Sequence, residues 1–154
     1  MNKEAARRQF LEALENSSPE FERFFLLLER FFLLRFFGLR VSYEEDPERC
    51  FVELPYEDFM KNPQGTLHGG VTAFAMDVSM GHLCNKFLSV SVTLDTTIRF
   101  LRPITEASRC EARFLRKGRS ISHIESRIFD ANGQLAAVAN GTWRALAPAE
   151  SEAV

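Results

Sequence analysis

Apolar residues recur at helical spacing through the front of the chain and at a spacing of two through its back half. From Ala5 to Leu14 they stand at 5, 6, 10, 11, 13 and 14, and NSSP then breaks the pattern. Ser18 is placed to cap a second helix and Pro19 to open it, with Glu20 and Glu22 in its positive first turn. This helix carries ERFFLLLERFFLLRFFG, apolar nearly all round, and Gly38 is placed to end it. Two strands, LRVSYEE and RCFVELPY, follow around a DPE turn. A further helix is predicted from about Gly69 to Asn85 and four more strands after it. The first, SVSVTLDTTIRFLRP, alternates at Val90, Val92, Leu94, Thr96, Ile98 and Phe100, and Pro103 closes it. That parity places Thr93 on the opposite face with Asp95 and Thr97. The others are ASRCEARFLRKG up to a Gly118 turn, SISHIESRIFD up to the turn DANG, and QLAAVANGTWRAL.

One long helix within a run of antiparallel strands is an α+β pattern, not a βαβ alternation. The expected organisation is an amino-terminal helical extension over 1–38, one α+β domain over 39–147 and a flexible tail over 148–154. The length of 154 residues suits a single domain with a proper core. A formal net charge of -2 with both signs interspersed offers no continuous basic field, so nucleic acid is not an expected partner. Cys50, Cys84 and Cys110 are widely spaced and odd in number, which suits free thiols in a reducing, cytoplasmic compartment. The first twenty residues carry acids and lack the unbroken apolar core of a signal peptide. Glu29, Arg30 and Arg35 interrupt the phenylalanine-rich helix, leaving no run of about 20 apolar residues to span a bilayer.

Candidate chemistry concentrates in NPQGTLHGG, residues 62 to 70, and in Asp77 beyond it. Two glycines opening a helix leave the first-turn amides unpaired at the positive end of the macrodipole, open to close approach by a carbonyl oxygen. Asp77 interrupts an otherwise apolar stretch of Ala73, Phe74, Met76, Val78 and Met80. It lies eight residues past Gly69, about 12 Å along a helix axis at 1.5 Å per residue. One carbon atom cannot touch both, so a reaction using both groups draws the second from another copy of the chain, as in a two-fold dimer. His82, five residues from Asp77, shares no helical face with it and makes a poor metal pair. It and Cys84 are expected to pack, and no metal is expected.

The stretch resembles the hot-dog-fold acyl-CoA thioesterases, most closely their phenylacetate-pathway, PaaI-like branch. The pattern N-P-x-G-T-x-H-G-G, then an apolar run and an aspartate nine residues after the histidine, is met by Asn62, Gly65, His68, Gly69, Gly70 and Asp77. Downstream, VTLDTTIRFLRP, RKGRS and DANGQLAAVANGTW are similar to the family's later core, so the likeness runs from about Arg40 to Leu146. The resemblance implies a hot-dog fold, a curved antiparallel sheet around the long helix. It also implies hydrolysis of an acyl-CoA thioester to acid and coenzyme A, with no cofactor besides the coenzyme A of the substrate. Asp77 would be the general base or nucleophile, and the Gly69 amide would polarise the carbonyl. Asn62 and His68 would order the loop, thioester or water, and Thr93 would place the water or the carboxylate. Gly70 and the turn Lys117, Gly118 and Arg119 are candidates for coenzyme A binding, with an ordinary solvated hairpin the other reading. A homodimer or homotetramer is the implied assembly.

Two other function classes stay open. A non-catalytic acyl-CoA-binding protein would keep the pocket without needing Asp77. An enoyl-CoA hydratase would carry a pattern similar to D-x-N-P-x-H, but Met60 stands in place of that aspartate and His68 comes too late. Seven of the fifteen phenylalanines fall between Phe21 and Phe37, more apolar surface than one packed helix face can bury. Packing on the protein's own sheet or subunit interface, a lid over an acyl pocket, or a membrane surface are its candidate covers.

Overall fold

The computed structural model of the chain describes residues 32–130 and 132–146. The first expected amino-terminal helix, the second as far as residue 31, and the tail from 147 lie outside the described residues. Helix α1 (Phe32–Phe36) is the end of the phenylalanine-rich segment. It stops where expected, at Gly38, whose φ of 64° is the left-handed conformation that glycine adopts at little cost. The hairpin β1 (Arg40–Glu45) and β2 (Glu48–Leu54) follows, then a 3₁₀ turn (Asp58–Met60), helix α2 (Gly69–Phe87) and strands β3 (Ser91–Phe100), β4 (Ser108–Arg116), β5 (Ile121–Phe129) and β6 (Leu135–Ala145). Helix α2 runs two residues beyond the predicted Asn85.

All six strands pair antiparallel in the order β1-β2-β4-β5-β6-β3, and α2 touches every one of them. Five interstrand gaps of about 4.8 Å make a flat sheet roughly 24 Å wide, whereas a helix is about 10 Å across. Contact with all six strands therefore requires the sheet to curl around the helix, and the fold is the hot-dog arrangement. Register fixes the inner face: Cys50, Val52 and Leu54 of β2 lie opposite Ala112, Cys110 and Ser108 of β4, and Ile124, Ser126 and Ile128 of β5 continue that face. Met76, Met80, Leu83 and Cys84 of α2 close the core from the other side, all fully buried. Small residues on β6, Ala137, Ala139 and Gly141, leave room for the helix. One polar pair sits among these groups, Ser79 and Ser126, with their hydroxyls 2.8 Å apart and so mutually satisfied.

The outer face carries the alternate residues and is charged. Arg49 reaches Glu111 at 2.9 Å, and Glu125 holds both Arg113 and Arg127 at 2.9 Å, which keeps this side of the sheet solvated. The three cysteines are buried free thiols, and burial pushes them up to about 12 at Cys50, about 11 at Cys84 and still higher at Cys110. Among the described residues no helix is long and apolar enough to cross a membrane. Phe37 stacks against Phe59 and tilts against Phe74 of α2, so the last ring of the phenylalanine-rich segment does pack on the protein's own body.

Candidate active site

The 62–68 loop is built by its own side chains. The Asn62 Oδ1 accepts from the amides of Gln64 (3.1 Å) and Thr66 (3.0 Å), and its Nδ2 donates to the Thr66 hydroxyl at 2.8 Å. Gly65 turns the chain with a φ of 78°, and the Tyr56 hydroxyl donates to its carbonyl. Leu67 and His68 then bond through their amides to the carbonyls of Ile104 and Met60, tying the loop to the body at both sides. Asn62 thus holds the loop through its own side chain.

His68 is the N-cap of α2. Its Nδ1 accepts from the Gly70 amide at 3.0 Å, and its carbonyl accepts from Val71 and Thr72 at 3.0 and 3.1 Å. In a neutral imidazole accepting at Nδ1 the proton resides on Nε2, so this exposed ring presents an N–H outward. Gly70 belongs to the cap: a Cβ there would meet His68 Nδ1 at 3.2 Å. Gly69 differs. As the first residue of the helix its amide takes no part in the helical ladder, and its backbone is not left-handed. The nearest group a Cβ would meet is the Phe100 ring, at an ordinary 3.5 Å. Among the described residues, neither backbone conformation nor a close contact demands glycine at 69.

Asp77 is half-buried on α2, and the Thr93 hydroxyl donates to its Oδ1 at 3.1 Å. Burial raises its carboxyl above its ordinary value, and the Thr93 hydrogen bond opposes that rise. Thr93 is on the helix side of the sheet, which corrects the parity expected for β3. Thr93 lies opposite Trp143, Asp95 lies opposite Thr142, and the register shift between them makes Leu94 a β-bulge. One extra residue exchanges the two faces. Thr93 joins Thr96, Ile98 and Phe100 on the inner side, and Leu94, expected inward, is 54% exposed.

The remaining candidates lie elsewhere. Lys117 Nζ is bonded to both carboxylate oxygens of Glu48 at 2.6 and 2.7 Å and lies 5.3 Å above the Phe114 ring. Gly118 makes a turn so tight that a Cβ would lie 2.1 Å from the Ile121 carbonyl oxygen, and Arg119 is exposed. His82 accepts or donates at 2.8 Å to the Tyr43 hydroxyl, joining α2 to the edge strand β1, and Cys84 is fully buried, so both pack as expected. Gly81, Gly141, Trp143 and Phe100 carry contacts that the sequence reading does not single out. Isolated glycines inside a helix and a strand are the signal that points to the first two.

A loop held by its own side chains, a helix start whose first amide lies outside the helical ladder and a half-buried carboxylate held by a hydroxyl are the features to compare with known proteins. The sequence model of the Thioesterase superfamily matches residues 64–137, from the loop before Gly69 to the start of β6, and so takes in Asp77 and Thr93. A candidate esterase of Saccharolobus solfataricus is 35% identical over 98 residues, 62% of this chain and 70% of that protein. The chain belongs to the thioesterase superfamily. Acyl-coenzyme A thioesterase 13 of Mus musculus is 31% identical over 80 residues, 49% of this chain and 57% of its own length. Among solved structures, the Escherichia coli PaaI protein of the phenylacetic acid degradation operon superposes with a TM-score of 0.66, covering 93% of this chain and 95% of that one. At 16% identity that likeness speaks for the fold.

Proposed function

We propose that this thioesterase-superfamily protein hydrolyses acyl-CoA thioesters to the free acid and coenzyme A. Asp77 acts on water as general base, or on the carbonyl as nucleophile, and the Gly69 amide holds the developing oxyanion. The observation that carries this reading is the Thr93 hydroxyl on Asp77 Oδ1 at 3.1 Å, which orients a carboxylate whose proton affinity burial has already raised. His68 serves twice: its Nδ1 fixes the helix start, and its Nε2–H is available to the thioester or water. The name of the Mus musculus relative, an acyl-coenzyme A thioesterase, and the presence of Asp77, which a mere acyl-CoA binder would not need, support an enzyme. Against a hydratase, Met60 stands at the aspartate position of that pattern and is 1% exposed.

The site is shared between two copies in this reading. β3 is the end strand of the sheet, with Val90, Leu94, Phe100 and Leu101 all more than 40% exposed. Phe100 rests on Gly69 at one end of β3, and Thr93 holds Asp77 towards the other. A second copy pairing antiparallel along this edge, about a two-fold axis between Thr96 and Thr97, brings the Gly69 end of one protomer to the Asp77 end of its partner. The separation of about 12 Å along one helix then ceases to be an obstacle. Arg119 at the exposed turn is the cation left for coenzyme A phosphates, Lys117 being engaged by Glu48.

The test is hydrolysis of a panel of acyl-CoA esters from acetyl to decanoyl, with benzoyl and phenylacetyl esters, read as free thiol. The exposed Phe100 ring beside Gly69 favours medium, long or aryl acyl groups over acetyl; equal rates on acetyl and decanoyl esters would refute that preference. A pH profile gives a further check. The base must be ionised and burial holds its proton, so the acid limb of kcat/KM is expected above the ordinary carboxylate range. Removing the hydroxyl in Thr93→Ala withdraws the interaction that favours the ionised form, so the limb moves to still higher pH while turnover falls less than in Asp77→Asn. A limb that stays put would separate Thr93 from the titration of Asp77.

A further inference from the structure

Trp143 lies at the inner face of β6, 4% exposed, in register with Thr93 of β3. Two glycines make room for its indole. A Cβ on Gly81 of α2 would lie 2.9 Å from Cη2 and 3.1 Å from Cζ3, and a Cβ on Gly141 of β6 would lie 3.0 Å from Nε1 and 3.1 Å from Met80 Sδ. At Gly81 a side chain would force something to shift, and at Gly141 the ring or Met80 would have to give by a few tenths of an ångström. The indole N–H is buried with no hydrogen-bond partner among the described residues, so the ring is retained at this place without the polar contact that usually accompanies a buried tryptophan.

Gly81 is one helical turn beyond Asp77 and on the same stripe of α2. Along that stripe α2 meets the sheet twice in succession, through Trp143 at Gly81 and through the Thr93 hydroxyl at Asp77. Interiors are close-packed and transmit small displacements, so the spacing set at the first contact is inherited by the second. A hydrogen bond of 3.1 Å between short side chains has little slack: a shift of a few tenths of an ångström outward takes it beyond bonding distance.

We propose that Trp143, seated in the notch between Gly81 and Gly141, is a positioning residue that sets the separation of α2 from β3 at which Thr93 reaches Asp77. The proposal rests on the reading of Asp77 as the reacting carboxylate only for its effect on turnover; its effect on the Thr93–Asp77 contact stands independently. Trp143 touches neither the carboxylate nor the reacting atoms in this account. It acts through the helix.

The experiment measures the effect of Thr93→Ala in three backgrounds: wild type, Gly81→Ala, and Gly81→Ala combined with Trp143→Phe. Two readouts are taken, kcat and KM with one acyl-CoA, and the titration midpoint of the Asp77 carboxyl by ¹³C NMR, assigned by its loss in Asp77→Asn. In Gly81→Ala the new methyl wedges against the indole, lowering kcat roughly 10- to 100-fold with KM nearly unchanged. There Thr93→Ala has no further effect on kcat or on the midpoint, because the contact is already gone. The phenyl ring of Trp143→Phe lacks the outer atoms that face Gly81, so the double variant regains kcat to within about three-fold of wild type, and sensitivity to Thr93→Ala returns. Thr93→Ala acting as strongly in Gly81→Ala as in wild type overturns the proposal, as does a fall in melting temperature with kcat unchanged. Should Gly81→Ala not fold, Trp143→Phe alone decides: the Thr93→Ala effect shrinks if the indole sets the spacing and is undiminished if it does not. If the wild-type protein cleaves no thioester, the catalytic reading fails, and the Asp77 midpoints still decide the positioning role.

Discussion

Asp77→Asn is expected to lower turnover by about 10² to 10⁴ while leaving substrate binding intact, the usual loss for a missing general base. Asparagine keeps the size of the side chain and an oxygen that can accept from Thr93 as Asp77 Oδ1 does at 3.1 Å, so the geometry survives and proton acceptance is what disappears. Folding stability should move the other way. Burial raises the Asp77 pKa, so between the ordinary carboxylate pKa and this raised one the folded protein binds more protons than the unfolded chain. Stability from this group is therefore lost as pH rises through that window, and above it the wild type carries an ionised group that its surroundings disfavour. The asparagine variant lacks that loss and is expected to melt no lower than wild type at pH 7. Turnover, calorimetric binding and thermal unfolding on the same preparation separate the outcomes. Near-normal turnover with binding retained would remove Asp77 from the reaction, and a fall in all three would mark a folding defect.

The elements of the fold were legible because their periods are clean. β5 alternates buried and partly buried residues along its whole length, as SISHIESRIFD reads in the sequence, and α2 begins at the two glycines that announce it. The loop motif was legible for a related reason: Asn62, Gly65 and His68 each make a local contact within a few residues, and local contacts leave local patterns. Parity on β3 was not. The bulge at Leu94 adds an apolar residue inside an apolar alternation, so the pattern continues across the break while the faces exchange. Long-range partners were equally hidden. Lys117 reads as a free cation of an exposed turn, yet its partner Glu48 is 69 residues away on β2. Trp143 reads as one more core aromatic, and its seat between Gly81 and Gly141 exists only once α2 lies on β6. A sequence can specify which residues are unusual for their element; which of them meet depends on the register.

Gly69→Pro is expected to lower turnover by about 10² to 10³, the usual worth of one oxyanion donor, with little change in fold. Proline is the one substitution that deletes the backbone N–H, and the first position of a helix is where proline is best tolerated, because that amide has no helical partner to lose. The neighbouring geometry permits it. His68 has φ −62° and ψ 133°, the extended conformation that a residue before proline prefers, and the nearest group to a Cβ at 69 is the Phe100 ring at 3.5 Å. The cap itself is untouched, since His68 Nδ1 accepts from Gly70 and its carbonyl accepts from Val71 and Thr72. Gly69→Ala is the paired control. It keeps the N–H and adds the methyl, so its loss reports how closely the thioester must approach, and replacing glycine by alanine at a conformation both can adopt should leave stability equal or slightly raised. Circular dichroism and thermal unfolding check that both variants fold, and kcat with a single acyl-CoA ester gives the ordering: wild type first, alanine below it, proline lowest. A proline variant as active as wild type would remove the Gly69 amide from the reaction and leave the carbonyl to be polarised by another donor, of which the outward Nε2–H of His68 is the nearest along the chain.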